Sequence, residues 1–217
     1  MRFILLFIYL LLPTGISAQS GPKVQIIGDS LMATHVLTGR AIPNVLAKEL
    51  GVSVDNNAAL GATIRRIVTQ YEPPKTPGAL DWVVINGGGN DLWLGCGCSK
   101  CAARLAQIIS PDGARGALPD LIAKIRADGA RVLYVGYLRS PGFGSPIEHC
   151  RDDGDELERR AAQMAAQMNG VWLISNAEIV PFGDRSFHAF DRIHPSVKGS
   201  RVIGKRIASA IRQLDMR

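Results

Sequence analysis

The feature that most constrains the fold of this chain is an alternation of short apolar segments with longer amphipathic ones. The short segments are largely β-branched or aliphatic and end at polar or glycine residues, as buried strands do. They are residues 24–27, 52–54, 82–85, 132–135 and 171–174. Residues 42–50, 62–71, 118–127, 155–168 and 196–214 carry helical spacing instead. Buried strands that alternate with helices predict a five-stranded parallel sheet covered on both faces, a three-layer α/β/α sandwich.

The ends of the predicted helices carry suitable residues. Gly51 and Gly129 follow two of them, where glycine commonly terminates a helix. Asp155 begins a third, where the helix dipole favours a negative charge, and Pro195 precedes the last one. No internal repeat, low-complexity segment or linker divides the chain. We therefore expect residues 19–217 to form a single domain, a length that suits one core.

The first 18 residues have the composition of an export signal. Arg2 precedes an almost unbroken apolar run at residues 3–12, and Ala18 ends a plausible cleavage site. The run is shorter than the roughly 20 residues of a membrane span, so an uncleaved anchor is the less favoured alternative. We expect a cleaved signal, no stable membrane span afterwards, and a mature protein in the periplasm or the medium.

The charge of the chain argues against a nucleic-acid partner. The formal net charge is +6, and removing residues 1–18 takes away Arg2 alone, which leaves +5. The basic residues are scattered, with no dense block and no interleaved aromatic residues. This pattern is typical of a solvated basic surface and not of a nucleic-acid module.

Four cysteines, at positions 96, 98, 101 and 150, follow the predicted signal. An even number in an exported chain predicts two disulfides, and three pairings are open. A Cys98–Cys101 bond would close a local loop, and the remaining Cys96–Cys150 bond would join distant segments. The alternative is that the four thiolates bind zinc or exchange disulfides. Export favours the disulfides.

Three of the predicted strands are followed by residues that could take part in a chemical reaction. In open parallel sheets, ligands bind beyond the carboxyl ends of the strands. Ser30 lies within Gly28-Asp29-Ser30-Leu31, Gly61 lies within the loop 57–63, and Asn90 follows three glycines. A carboxamide is a neutral donor suited to an oxyanion. Each feature has a structural explanation as well, as a helix cap or a turn, and no Lys-Ser or Lys-Thr supports a phosphate loop.

A fourth segment, at residues 191–195, combines a carboxylate with an imidazole. Asp191 and His194 are three residues apart, so one turn can bring the carboxylate to Nδ1 of the histidine. That hydrogen bond leaves Nε2 free to accept a proton from a serine. A local ion pair at the surface is the structural alternative. We interpret His35, His149 and His188 as surface or packing residues.

Together and in this order, the four segments resemble the GDSL esterases, also called SGNH hydrolases, over nearly the whole of residues 28–195. The resemblance implies a flavodoxin-like α/β/α sandwich. It also implies Ser30 as nucleophile, His194 as base, and Asp191 as the residue that orients the histidine. The oxyanion hole would consist of Ser30, Gly61 and Asn90. The implied reaction is ester hydrolysis through an acyl-enzyme, which needs no metal or organic cofactor.

The resemblance leaves the substrate open. A small-molecule, lipid or glycan ester would suit the chemistry, and an acyltransferase or polysaccharide O-deacetylase would use the same triad. A binding module without activity is a third alternative. Residues 92–101 do not belong to the family pattern, and we expect them to overhang the site. We expect Leu31 and Trp93 to contact substrate, so that Trp93→Ala alters substrate preference more than stability.

Overall fold

The computed structural model describes residues 23–142 and 144–216, and the predicted signal at residues 1–18 lies outside them. The five strands form one parallel sheet in the order β2-β1-β3-β4-β5, which confirms the predicted sheet. This is the strand order of flavodoxin-like folds. The strands are β1 (Val24–Ile27), β2 (Val54–Asn56), β3 (Trp82–Ile85), β4 (Arg131–Val135) and β5 (Val171–Ile174).

Helices cover both faces of the sheet, because successive side chains of each strand point to opposite sides. Ile26, Val84 and Leu133 face one apolar cluster, and Ile27 and Val83 face the other. The first cluster includes residues of α1, α2 and α8, and the second includes residues of α3, α5, α6 and α7. The helices are α1 (Ser30–Ala33), α2 (Ile42–Leu50), α3 (Ile64–Ile67), α4 (Gly89–Cys96), α5 (Ala102–Ile108), α6 (Ala117–Ala127), α7 (Arg151–Gln167) and α8 (Val197–Asp215). The three-layer arrangement is thus confirmed.

The helix predicted to begin at Asp155 begins at Arg151, so Asp155 lies in its second turn. Two further predicted boundaries are wrong for identifiable reasons. The second strand begins at Val54 rather than at residue 52, because the N–H of Val52 bonds to the carbonyl of Ala47 and so completes the end of α2. The helix expected at residues 62–71 begins only at Ile64 and ends in a 3₁₀ turn, Val68–Gln70. Ala62 belongs to the preceding turn, since its N–H bonds to the carbonyl of Ala59.

The topology places the ends of β1 and β3 side by side. The chain runs from β1 outward to β2 and then returns to β3 on the other side of β1. In parallel sheets such a reversal leaves a crevice between the loops that follow the two central strands. Ser30 and Asn90 lie in the first turns of the helices α1 and α4, which follow β1 and β3. Within residues 23–142 and 144–216, no helix has both the length and the apolar character needed to cross a membrane.

Candidate active site

Ser30 is the first residue of the short helix that follows β1. Asp29 caps this helix, its Oδ1 accepting a hydrogen bond from the N–H of Leu31 at 2.9 Å. The N–H of Ser30 has no partner within the helix, because first-turn amides never do. Gly28 has a φ of 155°, and a Cβ there would collide with Oδ1 of Asn86. The glycine therefore lets the chain turn tightly before the serine.

The carboxylate of Asp29 is buried, with a relative exposure of 1 %. Its Oδ1 also accepts a hydrogen bond from Nδ2 of Asn86 at 2.7 Å, and its Oδ2 accepts one from the hydroxyl of Tyr137 at 2.5 Å. Burial raises the pKa of Asp29 above its usual range, although these donors and the charge of His194 act in the opposite direction. Burial likewise holds the pKa of Tyr137 well above its usual value, so its hydroxyl keeps its proton.

Two side-chain amides join the loops that follow β1, β2 and β3. Gln70 pairs with both backbone groups of Gly28, at 2.6 Å and 2.9 Å. Nδ2 of Asn90 donates to the carbonyl of Ala62 at 3.1 Å, next to Gly61. Gly61 has a φ of 68°, a conformation that glycine adopts readily. The contact with Ala62 places Asn90, in the first turn of α4, beside the loop that contains Gly61.

Asp191 holds His194 in a fixed orientation. Its Oδ2 lies 2.6 Å from Nδ1 of His194, and its Oδ1 accepts the backbone N–H groups of Ile193 and His194 at 3.0 Å each. Partial burial would raise the pKa of Asp191, but the hydrogen bonds from His194 and Ile193 outweigh it and keep the pKa below its usual value. The carboxylate therefore stays ionised beside the imidazole.

Asp191 and His194 lie in a loop whose two ends are joined by backbone contacts. His188 and Pro195 form an antiparallel bridge, and the N–H of Ala189 bonds to the carbonyl of His194 at 2.8 Å. Nε2 of His35 lies 2.9 Å from the carbonyl of Pro195. His188 is buried, which lowers its pKa. The loop position is thus fixed by packing as well as by hydrogen bonds. His149, outside this loop, is exposed.

One cavity unites most of the predicted residues. Ser30, Leu31, Asn90, Trp93 and His194 all line it, whereas Gly61 and Asp191 do not. Its volume is about 120 Å³ and its walls are largely apolar. Among the hydrogen bonds of the described residues there is none between the hydroxyl of Ser30 and the ring of His194. Such bonds are often long in unliganded enzymes and tighten when substrate binds.

The four cysteines are paired in the structure. Cys96 pairs with Cys101, with a Cα–Cα distance of 5.4 Å, and Cys98 pairs with Cys150, with a Cα–Cα distance of 4.9 Å. This is neither the Cys98–Cys101 nor the Cys96–Cys150 combination considered from the sequence. The pairing leaves no free thiolate among the described cysteines, which favours disulfides over a zinc site. That both bonds form in the protein stays a prediction.

Sequence reasoning missed three polar residues that support this site. Asn86, Gln70 and Tyr137 hold the backbone around Gly28 and Asp29. Asn86 and Tyr137 follow β3 and β4 by one and two residues, and this position after a strand was the available signal. Gln70 offers no such signal, since it ends a helical segment. Its role depends on a contact between residues 42 positions apart.

The chain is similar to known ester-cleaving proteins. Residues 26–202 match the GDSL-like lipase/acylhydrolase family. An acetylxylan esterase of Geobacillus stearothermophilus is 24% identical over 212 residues, covering 86% of this chain and 92% of the relative.

Two solved structures share the fold. A lipase/acylhydrolase from Enterococcus faecalis has a TM-score of 0.64 and 21% identity, covering 88% of this chain and 95% of the other. An acetyl xylan esterase from Geobacillus stearothermophilus has a TM-score of 0.63 and 21% identity, covering 87% and 93%. With the matched family spanning β1 to α8, this chain belongs to the GDSL-like lipase/acylhydrolase family of ester-hydrolysing enzymes.

Proposed function

We propose that this chain is an exported serine esterase that hydrolyses carboxylic esters through an acyl-enzyme. Ser30 is the nucleophile, His194 the general base and Asp191 the residue that orients the histidine. The backbone N–H groups of Ser30 and Gly61 and the side chain of Asn90 form the oxyanion hole.

The observation that carries this proposal is the arrangement around His194. Its Nδ1 lies 2.6 Å from the Asp191 carboxylate, and its ring lines the same cavity as Ser30 and Asn90. A hydrogen bond at Nδ1 fixes the tautomer of the ring, so that the unprotonated Nε2 can accept the proton of the serine hydroxyl. The ionised state of Asp191 would stabilise the imidazolium that forms.

In the first half-reaction, Oγ of Ser30 attacks the ester carbonyl carbon while Nε2 of His194 takes the hydroxyl proton. The negative charge moves onto the carbonyl oxygen, where the three N–H donors stabilise it. The carbon–oxygen bond to the alcohol then breaks, and His194 passes its proton to that oxygen. In the second half-reaction, His194 deprotonates a water that attacks the acyl-enzyme, and Ser30 recovers its proton as the acid leaves.

The test measures hydrolysis of a panel of acyl esters by the wild type and by Ser30→Ala, His194→Ala and Asp191→Asn. We expect losses in kcat of at least about 10⁴-fold for the first two variants. Because His194 must be unprotonated to act as a base, wild-type activity should also fall in acid. Ser99→Ala, an exposed serine outside the cavity, is the matched control. Full activity in Ser30→Ala would refute the proposal.

A polysaccharide O-deacetylase is the second candidate, because the relative with 24% identity is an acetylxylan esterase. The same triad would remove acetyl groups from a glycan or transfer an acyl group to it. Product analysis with acetylated xylan, and with a soluble ester in the presence and absence of a glycan acceptor, distinguishes these reactions. Export would be tested by the mass of the secreted protein, which should begin at Gln19.

A further inference from the structure

Two helices contribute apolar residues to the cavity at Ser30, and we name the part that they line the slot. Its walls include Leu92 and Trp93 of α4 and Gly154 and Leu157 of α7. Leu92 and Leu157 are buried, with relative exposures of 2 % and 1 %. The slot is therefore an apolar part of the cavity.

Gly154 stands out in this wall because the surrounding structure does not require a glycine there. Its φ is not positive, and an added Cβ would meet no heavy atom of the described residues within 4 Å. Among the glycines of residues 23–142 and 144–216, it alone combines these two properties. By contrast, a Cβ on Gly88 would lie 2.8 Å from Leu157, and one on Gly89 would lie 2.8 Å from Tyr137.

The position of Gly154 makes this absence of contacts informative. It lies in the 17-residue helix α7, where glycine is less favourable than alanine because it loses more backbone freedom on folding. A side chain here would occupy open space, and Gly154 lines the cavity. The missing side chain therefore leaves room in the slot.

We propose that the slot holds the acyl chain of the substrate and that Gly154 sets the chain length the enzyme accepts. The proposal rests on the proposed serine esterase mechanism. The substrate class it names is esters of short, unbranched, uncharged acids. The whole cavity has a volume of about 120 Å³, and a cavity of about 150 Å³ accommodates benzene. The slot is part of that volume, so it suits an acyl group of about six carbons or fewer.

We assign the slot to the acyl group rather than to the alcohol. The alcohol leaves after the first half-reaction and must be replaced by water, whereas the acyl group stays bonded to Ser30. His194 has to protonate the departing alcohol, and its side chain is 30% exposed beside Asp191, which is 43% exposed. The leaving group therefore needs the solvent-accessible part of the cavity at His194, which leaves the acyl group the part lined by the buried Leu92 and Leu157.

The charges around the slot agree with an uncharged occupant. Two arginines line the cavity, but both are already paired. Arg139 lies 2.6 Å from Asp155 and 3.2 Å from Glu158, and Arg151 lies 2.5 Å from Glu148. Each positive charge is thus balanced by a neighbouring carboxylate.

The experiment compares wild type, Gly154→Ala and Gly154→Leu on esters of one alcohol with acyl groups from acetyl to decanoyl. For Gly154→Ala, we expect kcat/KM on the longest well-used ester to fall roughly 10-fold or more, as one excluded methylene does. Acetyl ester hydrolysis should stay within about twofold, because an acetyl group extends only one carbon beyond its carbonyl. Gly154→Leu should restrict the enzyme to the shortest esters. Gly154→Ala should also raise Tm by about 1–3 °C.

Ala162→Leu is the matched control, because it adds bulk to an exposed position of the same helix, and it should leave the acyl profile unchanged. An unchanged profile in both Gly154 variants overturns the proposal, as does an equal loss on every ester. A second series with one acyl group and alcohols of increasing length should be unaffected, and a shift there would mean that the slot holds the alcohol. These outcomes differ from failure of the proposed function, which would appear as activity that persists in Ser30→Ala.

Discussion

The hydroxyl of Tyr137 lies 2.5 Å from Oδ2 of Asp29, the residue directly before Ser30. The same hydroxyl accepts the N–H of Gly89 at 3.0 Å, directly before Asn90. One phenol from the loop after β4 thus joins the segments that follow β1 and β3. Since Ser30 and Asn90 act on the two atoms of one carbonyl in the proposed mechanism, Tyr137 fixes their relative position.

Removing this hydroxyl should slow the reaction without abolishing it. In Tyr137→Phe, the N–H of Gly89 and the carboxylate of Asp29 each lose a partner, and we expect kcat to fall about 10- to 100-fold, the scale of a small misplacement of reacting groups. KM should change little, because the phenyl ring remains in the cavity wall. The matched control is Tyr134→Phe, whose hydroxyl bonds to the carbonyl of Gly87 at 2.8 Å and does not contact Asp29. Equal losses of kcat in the two variants would contradict a positioning role for Tyr137.

Trp93 should affect which ester is used. It lines the cavity from α4, so Trp93→Ala enlarges the space beside the catalytic groups. We expect relative kcat/KM values across the ester panel to change by at least about 10-fold. The effect on stability, measured as Tm, should be minor by comparison. Leu94→Ala removes a neighbouring side chain that is 64% exposed and serves as control. A substrate profile identical to that of the wild type would refute this role.

The two cysteine pairs should contribute unequally to stability. The Cys98–Cys150 pair spans 52 positions and the Cys96–Cys101 pair spans 5. The chain-entropy relation gives about 4 kcal/mol for the longer closure and about 2 kcal/mol for the shorter one. Cys98→Ser/Cys150→Ser should therefore lower the free energy of unfolding more than Cys96→Ser/Cys101→Ser does. Denaturant titration measures both, and thiol counting should find none free in the unreduced wild type.

Glu156 should make stability depend on pH in the acid range. Hydrogen bonds from Arg159, and then from Arg160, lower the pKa of Glu156 from 4.5 to about 2. A carboxylate with a lowered pKa in the folded state stabilises the protein fully above pH 4.5. That contribution is lost as the pH falls towards 2.

Because the Glu156 side chain is 32% exposed, we expect only about 1 kcal/mol from it. The measurement is the free energy of unfolding of Glu156→Gln and the wild type from neutral pH to pH 2, where the difference should shrink. Glu178→Gln makes the same chemical change at an exposed position. A difference that stays constant across this range would argue against the assignment.

Most of the sheet could be predicted from the sequence because its strands are continuous apolar runs. β1, β3 and β5 begin and end where their apolar residues do, and β4 begins one residue earlier, at Arg131. Full burial makes this pattern unambiguous in β1 and β3. The two edge strands are only partly buried; β5 is still wholly apolar in sequence, whereas two of the three residues of β2 are polar, and its position was predicted less well.

The helices α4 and α5 could not be predicted, because residues 89–108 contain three glycines and three cysteines and lack a clear helical period. In the structure, the Cys96–Cys101 pair joins the end of α4 to the start of α5. Which cysteine pairs with which depends on this local folding. Spacing alone gave no reason to prefer Cys98–Cys150.

The candidate catalytic residues were recognisable because their types and order are distinctive. The residues that position them were not recognisable from the sequence. Asp191 and His194 are three residues apart, so their contact is local. Tyr137 reaches Asp29 across 108 positions, and a contact of that range depends on the assembled fold. The proposed role of Gly154 in acyl chain length was missed as well, because it depends on the space around the residue, which the sequence does not show.

The covalent link between Cys98 and Cys150 joins the segment after α4 to the residue that caps α7. Cys150 itself lines the cavity, and α4 also carries Asn90. The pair therefore connects the helix that positions an oxyanion-hole donor in the proposed mechanism to the helix that contains Gly154. Loss of this bond should disturb ester preference and rate together, whereas Gly154 should affect ester preference alone.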